Sequence, residues 1–175
     1  EFGDHASLLR QVEKRLDRPV FLVHRLDREV EGLVLVAHDA TAAAALSALL
    51  REAKVVKRYR AEVLGNVEAR RGKEGTIDLP VDDKPALTSF RVVSYDPVRD
   101  ATTLDVTIET GRHHQIRRHL DAIGHPVLGD PRYGAGNKNR TGLRLAAVFL
   151  GFKDPFTGKD VELRLGEAQP EPQTA

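Results

Sequence analysis

The sequence predicts an α+β fold: a mixed, largely antiparallel central β-sheet flanked by helices and loops. Three observations carry this reading. Apolar runs rich in β-branched residues and too short for helices recur along the chain. Two alternating segments, residues 88–95 and 102–110, flank the turn-forming stretch Asp96-Pro97-Val98-Arg99-Asp100-Ala101. Separate stretches repeat their apolar residues at helical spacing.

Taken in order, residues 4–18 carry Leu8, Leu9, Val12 and Leu16 at helical spacing, with Asp4 placed as an N-cap and Pro19 as the stop. Residues 20–23 and 33–37 read as strands, with the polar residues between them as a functional loop. Residues 41–53, rich in alanine and leucine, set Leu46, Leu49 and Leu50 on one face of a helix. Residues 57–64 read as a strand with Tyr59, Ala61 and Val63 on one face and Lys57 sharing it at the entrance. The polar, glycine-containing residues 65–75 read as an exposed loop.

The hairpin of residues 88–110 follows, and then a helix over residues 113–123 with Ile116, Leu120 and Ile123 on one stripe, closed by Gly124. Residues 125–142 are punctuated by glycine and proline and read as loop, and residues 143–152 and 161–165 as closing strands. One domain is expected over residues 1–166, with residues 167–175, which include Pro170 and Pro172, as a flexible tail.

A chain of 175 residues, 41% hydrophobic, is large enough to bury one core. The absence of cysteine excludes disulfides, thiolate metal sites and cysteine nucleophiles. No apolar run approaches the roughly 20 residues that span a bilayer, and no secretory leader pattern is present. A soluble, cytoplasmic protein without membrane contact or obligate protein partner is expected. Net charge is only +1, from 27 Lys and Arg against 26 Asp and Glu, so attraction to nucleic acid must come from local clustering.

Chemistry concentrates in three places. Asp27, between Arg25 and Arg28, ends one apolar run just before another. A cationic neighbour can keep such a carboxylate ionised for work as a nucleophile or base, and a structural aspartate making loop hydrogen bonds fits the same residues equally well. The second place is residues 51–60, with five basic residues (Arg51, Lys54, Lys57, Arg58, Arg60) against the single acid Glu52. Such a strand can bind phosphates while Tyr59 stacks on an unpaired base, or can simply be a solvated basic strand with Tyr59 in the core. The third is Gly111-Arg112-His113-His114-Gln115-Ile116-Arg117-Arg118-His119, which contains no acid. Arg117 flanks the apolar stripe, and an inward arginine there needs an acidic partner, for which Asp27 is the candidate. No histidine pair in this stretch has the i,i+4 spacing of zinc-binding helices, so histidine-rich RNA contact is the preferred reading and no metal is expected.

These residues resemble the RluA-type RNA pseudouridine synthases over most of the chain. The resemblance rests on His24-Arg25-Leu26-Asp27-Arg28 followed by Gly32-Leu33-Val34-Leu35-Val36-Ala37, on Lys57-Arg58-Tyr59, on residues 111–117, and on His125-Pro126-Val127-Leu128-Gly129-Asp130-Pro131-Arg132-Tyr133-Gly134. It implies isomerisation of uridine in transfer or ribosomal RNA to pseudouridine, without cofactor or metal. Asp27 is implied as the essential carboxylate, acting as nucleophile on the ribose or as base at its carbon 2′. Tyr59 is implied to stack on the base and help remove the proton from carbon 5. Arg117 is implied to pair with Asp27 and keep it charged, and Arg25 to enter the space left by the flipped uridine. Arg28, Lys57, Arg112, His114 and Gln115 complete the expected RNA contacts.

The chain departs from that family at Val30-Glu31, where Thr-Ser is usual, at His113, where Thr is common, and at Ala146, where His is common. It also begins after the position of the family's upstream strand and Lys-Pro-x-Gly turn, so that strand is expected to be missing. The altered pair and that start leave a non-catalytic RNA-binding paralogue as the alternative.

Overall fold

The computed structural model describes residues 3–137 and 141–166, so the expected tail lies outside the described residues, as does the side chain of Asp4. Among the described residues the chain forms helix α1 (Gly3–Leu16), strands β1 (Phe21–Leu22), β2 (Glu31–Gly32) and β3 (Val36–Ala37), and helix α2 (Ala40–Arg51). It continues with β4 (Val56–Leu64), the short helix α3 (Val67–Arg71), β5 (Glu74–Asp78), β6 (Leu87–Asp96), β7 (Ala101–Ile108), helix α4 (Gln115–Ala122), β8 (Leu145–Lys153) and β9 (Asp160–Arg164). The α+β class is borne out.

The main sheet runs β2-β8-β4-β7-β6-β5, with β9 also on β8. Every pairing in it is antiparallel except β2 on β8. Alternation along β4 sorts its two faces as the sequence predicted. Ala61 and Val63 are fully buried with Leu104 and Val106 of β7, and Ile116 and Leu120 of α4 close the same core. Outward, Arg60 and Arg91 both pair with Asp105, at 2.9 and 3.2 Å, so this face of the sheet is a solvated lattice of charges. The stripe on α4 therefore fixes that helix against the inner face, next to Lys57 and Tyr59.

Three local expectations change. Residues 65–75 are not simply loop, because Asn66 caps α3 by accepting from the Ala69 amide at 3.0 Å, the buried Val67 anchors it, and β5 begins at Glu74. Five residues are too few to print a helical period. The runs at 20–23 and 33–37 form only a short ladder, Phe21↔Ala37 and Leu22↔Val36, extended by the Val23 amide donating to the Leu35 carbonyl at 3.2 Å, because Gly32 and Leu33 are drawn instead to the Ala147 backbone of β8. The helix expected over residues 113–123, α4, begins at Gln115 rather than His113, since His114 sits in the left-handed region at φ 53°. Among the described residues no helix is long and apolar enough to cross a membrane.

Candidate active site

Four ties hold the segment carrying Asp27. The Nε2 of His24 accepts the Leu35 amide at 3.0 Å, and Ser47 of α2 donates to the Val23 carbonyl at 3.3 Å. The Val30 amide donates to the Asp27 carbonyl at 3.0 Å, making residues 27–30 a tight turn. Gly32, at φ +114°, lies so close to β8 that a Cβ there would overlap the Ala147 carbonyl. The turn thus projects over the inner face of the sheet, where Asp27, its side chain 30% exposed, enters a cleft of about 940 Å³ with Arg25, Tyr59, His113, Arg117 and Arg132 in its walls.

The sequence reading paired Arg117 with Asp27, and the geometry corrects the strength of that pair. Arg117 is fully buried, and its strong partner is Asp130, met through Nε at 2.7 Å and Nη2 at 2.8 Å. Asp27 stands 3.8 Å from Nη1, slightly farther than Glu29 at 3.4 Å. Burial works to raise the Asp130 carboxyl, but Arg117 and the amides of Arg132 and Tyr133 outweigh it and hold the group below the usual range. Because Asp130 compensates the burial of Arg117, the remaining edge of the guanidinium is free to present positive charge to Asp27 and Glu29.

That edge also fixes His114. An arginine can only donate, so the contact from Arg117 Nη1 to His114 Nε2, 3.1 Å, makes Nε2 the acceptor, and Nδ1 then donates to the Tyr133 hydroxyl at 3.1 Å. Burial lowers the His114 pKa first, and the charge of Asp27 opposes that. Expected as an RNA contact, His114 is buried and occupied within the protein. Gln115 is in the same position. Its carboxamide accepts from the Thr110 hydroxyl and Arg112 amide and donates to Leu87 and Thr88, leaving it no open group. His119 is also buried, bonded to Thr88 and Leu79, and the buried His125 bonds to the Leu64 carbonyl, so contact of the whole histidine-rich stretch with RNA is corrected to exposure of His113 alone among these. Among the described residues no group of three or more histidines and carboxylates is arranged to hold a metal.

Tyr59 reaches the cleft through a bulge. The β4–β8 register shifts between Arg58, opposite Phe149, and Tyr59, opposite Ala147, which re-aims the ring. Its phenol is pushed up to about 12, by burial first and by the charge of Asp27 second. Arg25 and Arg28 are exposed at the rim and Arg112 is half-buried, donating to the Pro85 carbonyl at 3.3 Å. Lys57 is 8% exposed as a whole residue, but its ammonium still reaches solvent, since among the described residues the buried side-chain atom without a partner is His125 Nε2. Burial lowers the Lys57 pKa first and Arg112 adds to the shift. Of the Val30-Glu31 departure, Val30 packs on the core and lines the cleft with an apolar side chain, while Glu31 lies exposed on β2 and is not in the cleft wall. Sequence reasoning missed Asp130, Tyr133 and Glu29. The unmet need of Arg117 for a fully buried acid, with Asp130 already inside a recognised motif, was the available signal.

The model of the RNA pseudouridylate synthase family matches residues 2–122. The chain is 34% identical over 166 residues to the ribosomal large subunit pseudouridine synthase D of Zymomonas mobilis, covering 81% of this chain and 50% of that protein. It is 38% identical over 145 residues to the protein of the same name from Nitrosomonas europaea, covering 75% and 39%. The chain thus spans about half the length, or less, of these curated relatives. Human RNA pseudouridylate synthase domain containing 1 superposes with a TM-score of 0.77 at 25% identity, over 91% of this chain and 74% of that one.

Proposed function

This chain belongs to the RNA pseudouridylate synthase family, and from that premise we propose that it isomerises specific uridines in structured RNA to pseudouridine in the Asp27 cleft. The observation that carries the proposal is the convergence of Asp27, the Tyr59 ring and the buried Arg117 guanidinium on one cleft wide enough for a flipped nucleotide. A non-catalytic RNA-binding protein has no need of that convergence, and of the Val30-Glu31 pair that favoured such a reading only Val30 lines the cleft.

In the reaction the bond from uracil N1 to carbon 1′ of the ribose breaks, the uracil turns, and carbon 5 bonds to carbon 1′ with loss of its proton. Asp27 acts as nucleophile on the ribose or as base at carbon 2′. On either route the carboxylate is restored as carbon 5 bonds to carbon 1′: the ester bond from Asp27 to carbon 1′ breaks, or the proton that Asp27 took returns to carbon 2′. The carbon 5 proton leaves after that bond has formed. Tyr59 stacks on the uracil, and its phenol, pushed up to about 12 by burial first and by the charge of Asp27 second, stays protonated and is a poor base for that proton.

Arg25 and Arg28 at the rim, with Arg112, support binding of the RNA backbone, and the solvent-reaching ammonium of Lys57 beside Arg112 supports capture of one phosphate. His114 and Gln115 serve binding indirectly, by holding Arg117 and the Arg112 turn in place. Residues 1–166 are taken as one catalytic domain. The names of the bacterial relatives favour ribosomal over transfer RNA, and with it a cytoplasmic site of action. Total RNA incubated with wild-type protein and with Asp27→Asn, then mapped for pseudouridine, tests the proposal. New sites are expected with wild type alone, and identical maps would reject it.

A further inference from the structure

His113 is the one exposed histidine of the stretch Gly111–His119 and stands in the wall of the cleft. Its ring is not loose in solvent. One face stacks on His114, with ring centroids 3.8 Å apart and planes 23° from parallel. His114 is in turn immobilised, accepting from Arg117 at one nitrogen and donating to Tyr133 at the other, with the Tyr133 ring edge-on at 5.8 Å. Arg117, behind Tyr133 at 5.3 Å from its ring centroid, is pinned to Asp130. The exposed imidazole is thus the outermost member of a fixed stack that starts at a buried ion pair and ends at the cleft.

We infer that His113 is a stacking platform for an RNA base next to the target uridine. The inference rests on the proposed function. A uridine that leaves its stack for the cleft strips its neighbours of a stacking partner, and a planar ring at the cleft wall replaces it. Stacking on a protein ring is tolerant of base identity, so this subsite steadies the strand without reading its sequence. A side chain offered only to phosphate would have no use for a ring held from behind, whereas a platform needs that backing to resist displacement. The charges around the ring are mixed: Asp82 lies within its electrostatic reach and is itself bonded to Arg118 at 2.7 Å, while Arg132 belongs to the same cleft. The cleft as a whole carries Arg25, Arg28, Arg112, Arg117 and Arg132 against Asp27 and Glu29, so phosphate contact is the competing use of the ring that the variants below separate from stacking.

The experiment uses short oligouridylates in which 2-aminopurine replaces one uridine at each position in turn, because stacking on a ring quenches its fluorescence. Wild type is expected to quench the probe in one register. His113→Phe should keep that quenching, and His113→Ala should lose it and bind roughly 5- to 100-fold more weakly. Three results would overturn the inference: no quenching by wild type in any register, quenching and affinity unchanged in His113→Ala, or His113→Phe as weak as His113→Ala with a reduced salt dependence, which marks a phosphate contact. Pseudouridine mapping on total RNA separates the two levels. A wild type that quenches but modifies nothing defeats the catalytic reading alone, and one that modifies RNA while His113→Ala behaves identically defeats this inference alone.

Discussion

At the scale of single residues, two buried cations carry opposite expectations. Arg117 has its compensating acid, so Arg117→Ala strands the fully buried Asp130 and should cost about 3 to 5 kcal/mol of stability, measured by urea denaturation. Unchanged stability would show that Asp130 is rescued by another group. Lys57 lacks such a partner, and although its ammonium reaches solvent, burial of its stem partly desolvates the charge, which Lys57→Met removes while keeping the length of the side chain. It should raise stability by at most about 1 kcal/mol, yet weaken RNA binding and lower the slope of log affinity against log salt by about one unit. Thermal melting and binding titrations at several salt concentrations check the two halves, and a variant that gains stability without losing affinity would make Lys57 a purely structural defect. The same residues mark a limit of sequence reading. That Arg117 turns inward was legible from its place beside the Ile116 stripe, but the choice of Asp130 over Asp27 depends on how residues 125–134 fold back under α4, and no local pattern encodes it.

At the scale of elements, β2 is only two residues long, yet it seats the turn that carries Asp27. Its parallel register on β8 needs Gly32 at φ +114° against the Ala147 backbone, so Gly32→Ala is strained in conformation and blocked in space. A loss of about 3 kcal/mol is expected, with a larger proportional loss of pseudouridine formation, because the displaced turn carries Asp27. Calorimetry and turnover measured together would check this, and a variant that loses stability but turns over normally would detach the turn from β2. Strong local periods made α2, α4 and the β6–β7 hairpin readable in the sequence. The β2–β8 pairing was not readable, since a two-residue parallel contact between residues more than a hundred positions apart has no periodic signature.

The whole molecule should respond to acid in two stages. His24, His114 and His119 are all held below the usual histidine value, in each case mainly by burial. Their unfolded value is about 6.5, so as pH falls the unfolded chain takes up protons before the native one does. Stability is then fully present above that value and lost as pH falls through the lowered native values. A second loss follows at lower pH, through the depressed value of Asp130, by the same sign. Thermal melting from pH 8 to pH 4 checks the profile, and His119→Gln should flatten its first stage. A midpoint independent of pH between 7 and 5 would contradict the burial of these rings as neutral species.

Gly32 on β8 also sets an order in time. The turn that bears Asp27 belongs to the first fifth of the chain, but its seat is Ala147, and the guanidinium beside it comes from residue 117. A ribosome extending this chain at several residues per second releases Asp27 well before either partner exists. Refolding meets the same sequence of events, because contacts this distant close only after the local helices and hairpin have formed. The proposed activity is therefore expected to return after secondary structure does, and the Asp27 cleft is complete only once the closing strands have emerged.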